Sequence, residues 1–206
     1  LRCINRLIDP TDGEIIWNGR DITQASPEEM RLIRRKIGMV FQHFNLVHRS
    51  KVITNVLAGR LGYVNPAWSL MNRFPPHDIV KAMKQMERVG IADKANDRAD
   101  ELSGGQQQRV GIARALMQDP QMILADEPVA SLDPVLAHSI MKHLEDINNK
   151  DGVTILCSLH FLDIVHRYAD RVIALNEGKL VFEGLPKEID DKKFKDIYGR
   201  DAERVG

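Results

Sequence analysis

The stretch Asp119–Pro134, DPQMILADEPVASLDP, decides the fold class. Its apolar run Met122–Ala125 is typical of a strand that is buried on both faces. Asp126 and Glu127 follow this run directly, and a helical pattern of apolar residues begins at Pro134. A buried strand followed by a helix predicts an α/β fold with a parallel core sheet, in which ligands bind at the carboxyl ends of the strands.

Two further apolar runs predict strands of the same sheet. Ile37–Phe41 ends at Gln42, and Val153–Cys157 is followed by His160, which we expect at the start of a helix. Three of these polar side chains follow predicted strands, namely Gln42, Asp126 and Glu127. The fourth, His160, is expected to begin a helix. Each of these residues therefore has a candidate place at the edge of the sheet where ligands gather.

Helices and loops dominate Ser50–Asp100, and no strand is convincing there. We therefore expect a helical subdomain over residues 50–118, inserted between strands, and the C-terminal part of the α/β core over 119–206. Both belong to a single domain over 1–206. Within the subdomain, Asn65–Pro76 holds three prolines and little periodicity, so a loop is predicted.

Local signals define the N-terminal elements. Leu1–Leu7 has the apolar spacing of the tail of a helix, and Asn18-Gly19 predicts a hairpin turn. Ser26 can cap a helix whose first turn contains Pro27, with Glu29 completing a capping box.

Composition excludes several function classes. The 206 residues are 43% hydrophobic and 28% charged, and 29 basic side chains balance 29 acidic ones, so no field of one sign favours nucleic acid. No apolar run approaches the about 18 residues of a membrane span, so any membrane link comes through a partner. Cys3 and Cys157 are far apart, which favours reduced thiols in a cytosolic protein.

The string Leu102–Gln106 is a candidate anion site. Gly104 and Gly105 allow close approach of the backbone to a ligand, and Ser103 adds a hydroxyl donor. The helix that follows offers free N–H groups and a positive dipole end. A Ser-Gly-Gly alone is more often an ordinary helix cap, but the five-residue string followed by Gln107-Gln108-Arg109 is more specific.

The adjacent carboxylates of Asp126 and Glu127 are a candidate cation and water site. They repel each other unless a cation lies nearby, and consecutive strand side chains point apart. One carboxylate can thus bind Mg²⁺ while the other forms a hydrogen bond with a water. A strand that ends in a solvated acidic turn is the alternative. Taken alone, His160 is a polar cap, and Gln42 carries almost no signal.

Together, these features resemble the motifs of the ABC ATPases, in the order of that family. The correspondence covers the chain from end to end: Gln42 with the Q-loop, Leu102–Gln106 with the signature motif, Met122–Asp126 with Walker B, Glu127 with the catalytic glutamate, Ser131–Asp133 with the D-loop, and His160 with the switch histidine.

The resemblance implies a homodimer of head-to-tail subunits with ATP and Mg²⁺ between them. In one subunit, Asp126 holds Mg²⁺ and Gln42 senses the metal and nucleotide. Glu127 polarises the attacking water, and His160 contacts the γ-phosphate. The second subunit closes its signature motif over that phosphate. The residues expected at the nucleotide are Gln42, Ser103, Gly104, Gly105, Gln106, Asp126 and Asp133.

Within the family, one combination of stretches resembles the ATPase subunits of bacterial phosphonate importers: Phe41–Val47, Asn55–Gly62, Ala125–Pro134 and Ser158–His160. This resemblance implies a permease in the membrane, an extracytoplasmic substrate-binding protein, and a peripheral location at the cytoplasmic face of the inner membrane. A polar amino acid importer and a non-transport ABC ATPase, such as a DNA-repair or ribosome-associated clamp, are the alternatives. His43–Leu57 is expected to touch the permease, although its apolar residues Phe44, Leu46 and Val47 could instead be core.

The Gly-rich Walker A loop of the family is expected immediately before Leu1, together with the first strand and an adenine-stacking aromatic residue. Its N–H groups and lysine hold the phosphates. We therefore expect the 206 residues alone to bind ATP very weakly and not to hydrolyse it.

Overall fold

The computed structural model describes residues 1–71 and 73–198. The chain divides into one compact unit spanning Leu1–Ser158 and a second that begins at Leu159. The first unit contains a small hairpin of β1 (Ile16–Trp17) and β2 (Arg20–Asp21). Asn18 and Gly19 at its turn have φ of 49° and 77°, which is the backbone of a type I′ turn.

The segment before this hairpin forms turns and no regular helix. The Leu7 N–H donates to the Arg2 carbonyl and the Arg6 N–H to the Cys3 carbonyl, while Arg6 is left-handed with φ 51°. These are the two bonds of a Schellman motif, which satisfies the last carbonyls of a helix. The expected helix tail is therefore present as turns.

The predicted capping box is confirmed at α1 (Pro27–Arg34). The Ser26 hydroxyl accepts from the Glu29 N–H, and the Glu29 carboxylate accepts from the Ser26 N–H at 2.8 Å. These bonds and Arg20 lower the pKa of Glu29 to about 2.

A three-stranded parallel sheet forms the core of the first unit. Its strands are β3 (Ile37–Val40), β4 (Met122–Asp126) and β5 (Thr154–Ser158), in the order β3-β4-β5. Ile123, Leu124 and Ala125 of the central strand are fully buried, as the apolar run predicted. The α/β fold with parallel strands is confirmed.

In the first unit the remaining α-helices are α2 (Val52–Leu57), α3 (Pro66–Leu70), α4 (Pro76–Arg88), α5 (Gly104–Leu116) and α6 (Pro134–Asp151). Helices α1, α5 and α6 pack against the parallel sheet, whereas α2 and α4 pack against α5. Short 3₁₀ turns occupy Ala58–Arg60, Ala92–Lys94 and Ala99–Glu101. Among the described residues no strand lies between β3 and β4, as expected for a helical insertion, and the boundaries of the predicted subdomain stay predictions.

One local prediction was wrong, because α3 lies inside the stretch predicted as a loop. Asn65 caps this helix by accepting from the Ala67 N–H at 2.9 Å, and Pro66 occupies the first turn. The N–H groups of the first helical turn have no partner within the helix, so the N–H that proline lacks is not needed there. Proline at this position therefore favours the start of a helix.

The second unit consists of α7 (Leu162–Tyr168), β6 (Val172–Asn176), β7 (Lys179–Gly184), a 3₁₀ turn at Pro186–Glu188 and α8 (Asp191–Tyr198). β6 and β7 form the predicted antiparallel hairpin. Its small core contains Ala174, Phe182, Ile189 and Phe194. His160 does not start the helix as expected, since the extended backbone of Phe161 is the N-cap and α7 begins after it.

Across residues 1–71 and 73–198, no helix is both long enough and apolar enough to span a bilayer.

Candidate functional site

A cleft of about 340 Å³ lies at the carboxyl ends of β3 and β4. Its lining consists of Leu1, Arg2, Cys3, Ile8, Gln42, Asp126 and Glu127. Three predicted site residues, Gln42, Asp126 and Glu127, are thus brought together. The Gln42 side chain donates from Nε2 to Glu127 Oε2 at 2.9 Å, which joins the ends of two neighbouring strands.

The backbone of Glu127 is strained and fixed from two sides. Its φ of 47° is left-handed, which costs a non-glycine residue about 1–2 kcal/mol. The Glu127 N–H donates to Ser158 Oγ at 2.9 Å, and the next carbonyl, that of Pro128, accepts from Gln108 Nε2 at 2.7 Å. Gln108 is fully buried. This turn is therefore held in a conformation that the chain would not adopt alone.

Asp126 is held by two side chains that were not among the predicted site residues. Ser158 Oγ donates to Asp126 Oδ1 at 3.3 Å, and Arg2 Nε donates to Oδ2 at 2.9 Å. The Ser158 hydroxyl thus bridges the Asp126 carboxylate and the Glu127 N–H. Ser158 pairs with Asp126 in the parallel register, so its place after the predicted strand Val153–Cys157 was a usable signal. For Arg2 we find no such signal.

The oxygen atoms of the cleft suit Mg²⁺ bound with a phosphate. In the described parts of the chain, no group of three or more His, Cys, Asp or Glu side chains could hold a metal by itself. Mg²⁺ however binds through one or two carboxylates and completes its shell with water and phosphate oxygens. Asp126 supplies the carboxylate, although it shares one oxygen with Arg2. Because Gln42 donates through its nitrogen, its carbonyl oxygen is the atom suited to a cation.

Cysteine chemistry is disfavoured at this edge of the sheet. Burial, with a further contribution from Asp126, raises the pKa of the Cys157 thiol to about 12. The thiolate is the nucleophile and metal ligand, so Cys157 stays protonated and inert near neutral pH.

The signature string begins α5 and does not line the cleft. Ser103 is the N-cap, and its hydroxyl and N–H exchange hydrogen bonds with Gln106 at 3.4 and 2.9 Å. The capping role that the sequence left as an alternative is therefore present. A Cβ on Gly105 would lie 3.1 Å from Leu136 Cδ1, so this glycine permits close packing. Ser103 is exposed, Gly104 and Gln106 are half-buried, and Gly105 is buried.

Asp133 and His160 lie elsewhere. Asp133 is exposed and caps α6 by accepting from the Leu136 N–H at 3.0 Å. His160 belongs to the second unit, just before the N-cap of α7. Their places at a nucleotide stay predictions.

The loop after Gln42 is partly core. Leu46 is 7% exposed, so it packs inside and is not available to a partner, whereas Val47 is 64% exposed. The buried Asn55 side chain holds the Val47 backbone, accepting from its N–H at 2.7 Å and donating to its carbonyl at 3.1 Å. Phe44 is half-buried, and the exposed residues of the loop are His43, Asn45, Val47, His48 and Arg49, so the expected contact with a permease stays a prediction.

The family described as “ABC transporter” matches residues 1–130 of the chain. The chain belongs to the ABC transporter family. It is the ATPase component, so the fold and the ATPase activity that the resemblance implies are confirmed, whereas the expected inactivity of the 206 residues alone stays a prediction.

Relatives cover nearly the whole chain. Phosphonates import ATP-binding protein PhnC of Staphylococcus haemolyticus is 53% identical over 210 residues, which cover 100% of this chain and 81% of that protein. Phosphonates import ATP-binding protein PhnC 1 of Halalkalibacterium halodurans is 54% identical over 200 residues, 97% of this chain and 78% of that protein.

Solved structures support the same fold. A dimeric ATP-binding cassette in a post-hydrolysis state, bound to ADP and Pi, is 32% identical with a TM-score of 0.77, over 90% of this chain and 78% of that one. Clostridium perfringens cbiO1, part of the ABC transporter complex cbiONQ, is 31% identical with a TM-score of 0.79, over 94% and 74%.

Proposed function

We propose that this chain is the ATP-hydrolysing subunit of a bacterial importer of phosphonates, with Mg²⁺-ATP as its energy source. The observation that carries the substrate class is the identity of 53–54%, over 97–100% of this chain, to proteins named as phosphonate import ATP-binding proteins. The observation that carries the chemistry is the hydrogen-bonded pair of Gln42 and Glu127 beside Asp126.

Glu127 is the general base in this proposal. Its carboxylate polarises the water that attacks the γ-phosphate, and the Gln42 amide orients it through the bond to Oε2. General-base assistance contributes about 10²–10⁴ to a rate. The fixed, left-handed turn supports this role, because phosphoryl transfer depends mainly on positioning and on charge stabilisation.

Asp126 and Gln42 are the proposed side-chain contacts of the metal. When bound, Mg²⁺ neutralises the charge that develops on the transferring phosphoryl group. Ser158 and Arg2 hold the Asp126 carboxylate at the mouth of the cleft, so its orientation is set before nucleotide arrives. His160 is proposed to contact the γ-phosphate once the site is assembled.

A second copy of the chain completes the site. The signature turn of that copy, Ser103 to Gln106, would close over the γ-phosphate, with Asp133 near the same interface. The dimeric cassettes among the solved relatives support this arrangement. We further propose a permease partner that contacts the loop after Gln42, an extracytoplasmic binding protein, no nucleic-acid partner, and a peripheral location at the cytoplasmic face of the inner membrane.

The test is substrate-stimulated ATP hydrolysis in liposomes. The subunit, expressed in full from its gene, is reconstituted with its permease and binding protein, and hydrolysis is measured with an alkylphosphonate or with a polar amino acid. We expect stimulation by the phosphonate alone. Stimulation by the amino acid alone would assign the chain to the amino acid importers, and hydrolysis indifferent to permease and substrate would favour a non-transport ATPase.

A further inference from the structure

Arg114 of α5 has an unusual set of partners. Its guanidinium donates from Nη2 to the Phe44 carbonyl at 2.8 Å and from Nη1 to the Asn45 carbonyl at 2.5 Å. It also lies 5.9 Å from the centroid of the Phe41 ring. Both acceptors are neutral carbonyls. Burial alone lowers the pKa of this guanidinium, which reflects the cost of removing its charge from water.

The loop that Arg114 holds is strained. Phe44 and Asn45 have φ of 59° and 47°, so two consecutive non-glycine residues are left-handed. Such conformations persist only where surrounding contacts impose them. Arg114 supplies two of these contacts, one to each strained residue. Arg114 is half-buried, and placing its charge against neutral carbonyls withdraws it in part from water, a cost that its two hydrogen bonds to the loop offset.

The held loop is continuous with the site. Gln42 lies two residues before Phe44 and donates to Glu127. Arg114 belongs to the same helix that begins with the signature turn. The two bonds of Arg114 thus join that helix to the loop that carries Gln42.

We propose that Arg114 is a positioning residue for Gln42, fixing the loop over residues 41–47 to α5 so that Gln42 stays bonded to Glu127. This inference rests on the proposed function of the cleft. Loss of Arg114 would let the loop relax toward right-handed backbone, and the Gln42 amide would leave Glu127. Turnover would fall much more than the affinity for ATP, because Gln42 is only one of the proposed contacts of the metal and nucleotide.

The experiment is a double-mutant cycle between Arg114→Met and Gln42→Ala in the assembled transporter. The readouts are kcat, KM for ATP and the melting temperature. The matched control is Arg88→Met, a partly buried arginine of α4 whose hydrogen bonds go to Gln85 and Asp151. We expect Arg114→Met to lower kcat about tenfold or more, with KM within about twofold and with no greater loss of melting temperature than the control.

The cycle distinguishes positioning from a merely structural role. If Arg114 acts through Gln42, Arg114→Met lowers kcat no further in the Gln42→Ala background, because coupled residues are not additive. Arg114→Lys, which keeps one donor and the charge, should restore part of the lost kcat, and it replaces Arg114→Met in the cycle should that variant not fold.

Equal losses of kcat from Arg114→Met in both backgrounds would overturn the proposal, and so would a fall in melting temperature alone. If Gln42→Ala itself left kcat unchanged, the proposed role of the cleft would be contradicted as well, so the two failures are distinguishable.

Discussion

Replacing Ser158 with alanine removes the hydroxyl that bridges the two carboxylate residues of the cleft. The Glu127 N–H then loses its acceptor at 2.9 Å, and Asp126 loses a donor at 3.3 Å. A partly buried donor left unpaired costs about 1–3 kcal/mol. Because the backbone of Glu127 is left-handed, its N–H does not continue the ladder of the strand. A hydrogen bond to a neighbouring strand therefore cannot replace the lost bond to Ser158.

We expect Ser158→Ala to lower the free energy of unfolding by about 1–3 kcal/mol. Where the same positioning is needed in the transition state, that energy corresponds to a fall of about 5- to 150-fold in kcat. The measurements are urea unfolding of the full subunit and steady-state ATP hydrolysis in the assembled transporter. KM for ATP should change little, because the hydroxyl holds carboxylate residues and does not hold the nucleotide itself.

Ser158→Thr is the matched control, since it keeps the hydroxyl and β-branched residues suit a strand. It should lie much nearer to wild type in both measurements. Wild-type stability together with wild-type kcat in Ser158→Ala would refute the view that this hydroxyl fixes the turn.

Three further outcomes follow from contacts elsewhere. Gly59→Ala should destabilise the subunit by about 1–3 kcal/mol or more, because the new Cβ would lie 2.2 Å from the Arg114 carbonyl oxygen; an unchanged melting temperature would contradict this packing. Gln108→Met should lower kcat with little change in KM, since the Pro128 carbonyl loses its donor, and an unaltered kcat would separate Gln108 from the site. Hydrogen bonds from the Ser26 N–H and from Arg20 lower the pKa of Glu29 to about 2, so the stabilising contribution of this carboxylate is present above pH 4.5 and is lost as pH falls through 2. Glu29→Gln should remove this part of the acid dependence of the free energy of unfolding. A pH profile identical to that of the wild type would show that the contribution is absent.

Local patterns were sufficient wherever a few neighbouring residues determine the structure. The apolar run Met122–Ala125 forms the buried central strand, and Ser26 and Glu29 form the predicted capping box of α1. The predicted hairpin turn at Asn18-Gly19 is confirmed, because both residue types tolerate positive φ. The short helix α3 was missed because its prolines were counted as breakers, although Pro66 stands where a helix accepts one.

The contacts that hold the site lay beyond such patterns. The hydrogen bond between Arg2 and Asp126 joins residues that are 124 positions apart in the sequence, and the bond between Gln108 and Pro128 joins residues 20 positions apart. The bond between Arg114 and Phe44 joins residues 70 positions apart. Each of these pairs depends on how helices and strands pack, and no local spacing encodes it. The motif residues Gln42, Asp126 and Glu127 were predictable, whereas the contacts of Arg2, Gln108 and Arg114 became visible only in three dimensions.

The most direct test of the central claim is single-turnover ATP hydrolysis by Glu127→Gln in the assembled transporter. The amide is nearly isosteric and its carbonyl oxygen can still accept from Gln42, so ATP binding should be retained. We predict that the hydrolysis rate falls by about 10²–10⁴, the contribution of a general base. Hydrolysis of bound ATP at the wild-type rate would contradict the account, because Glu127 would then not be the group that activates water.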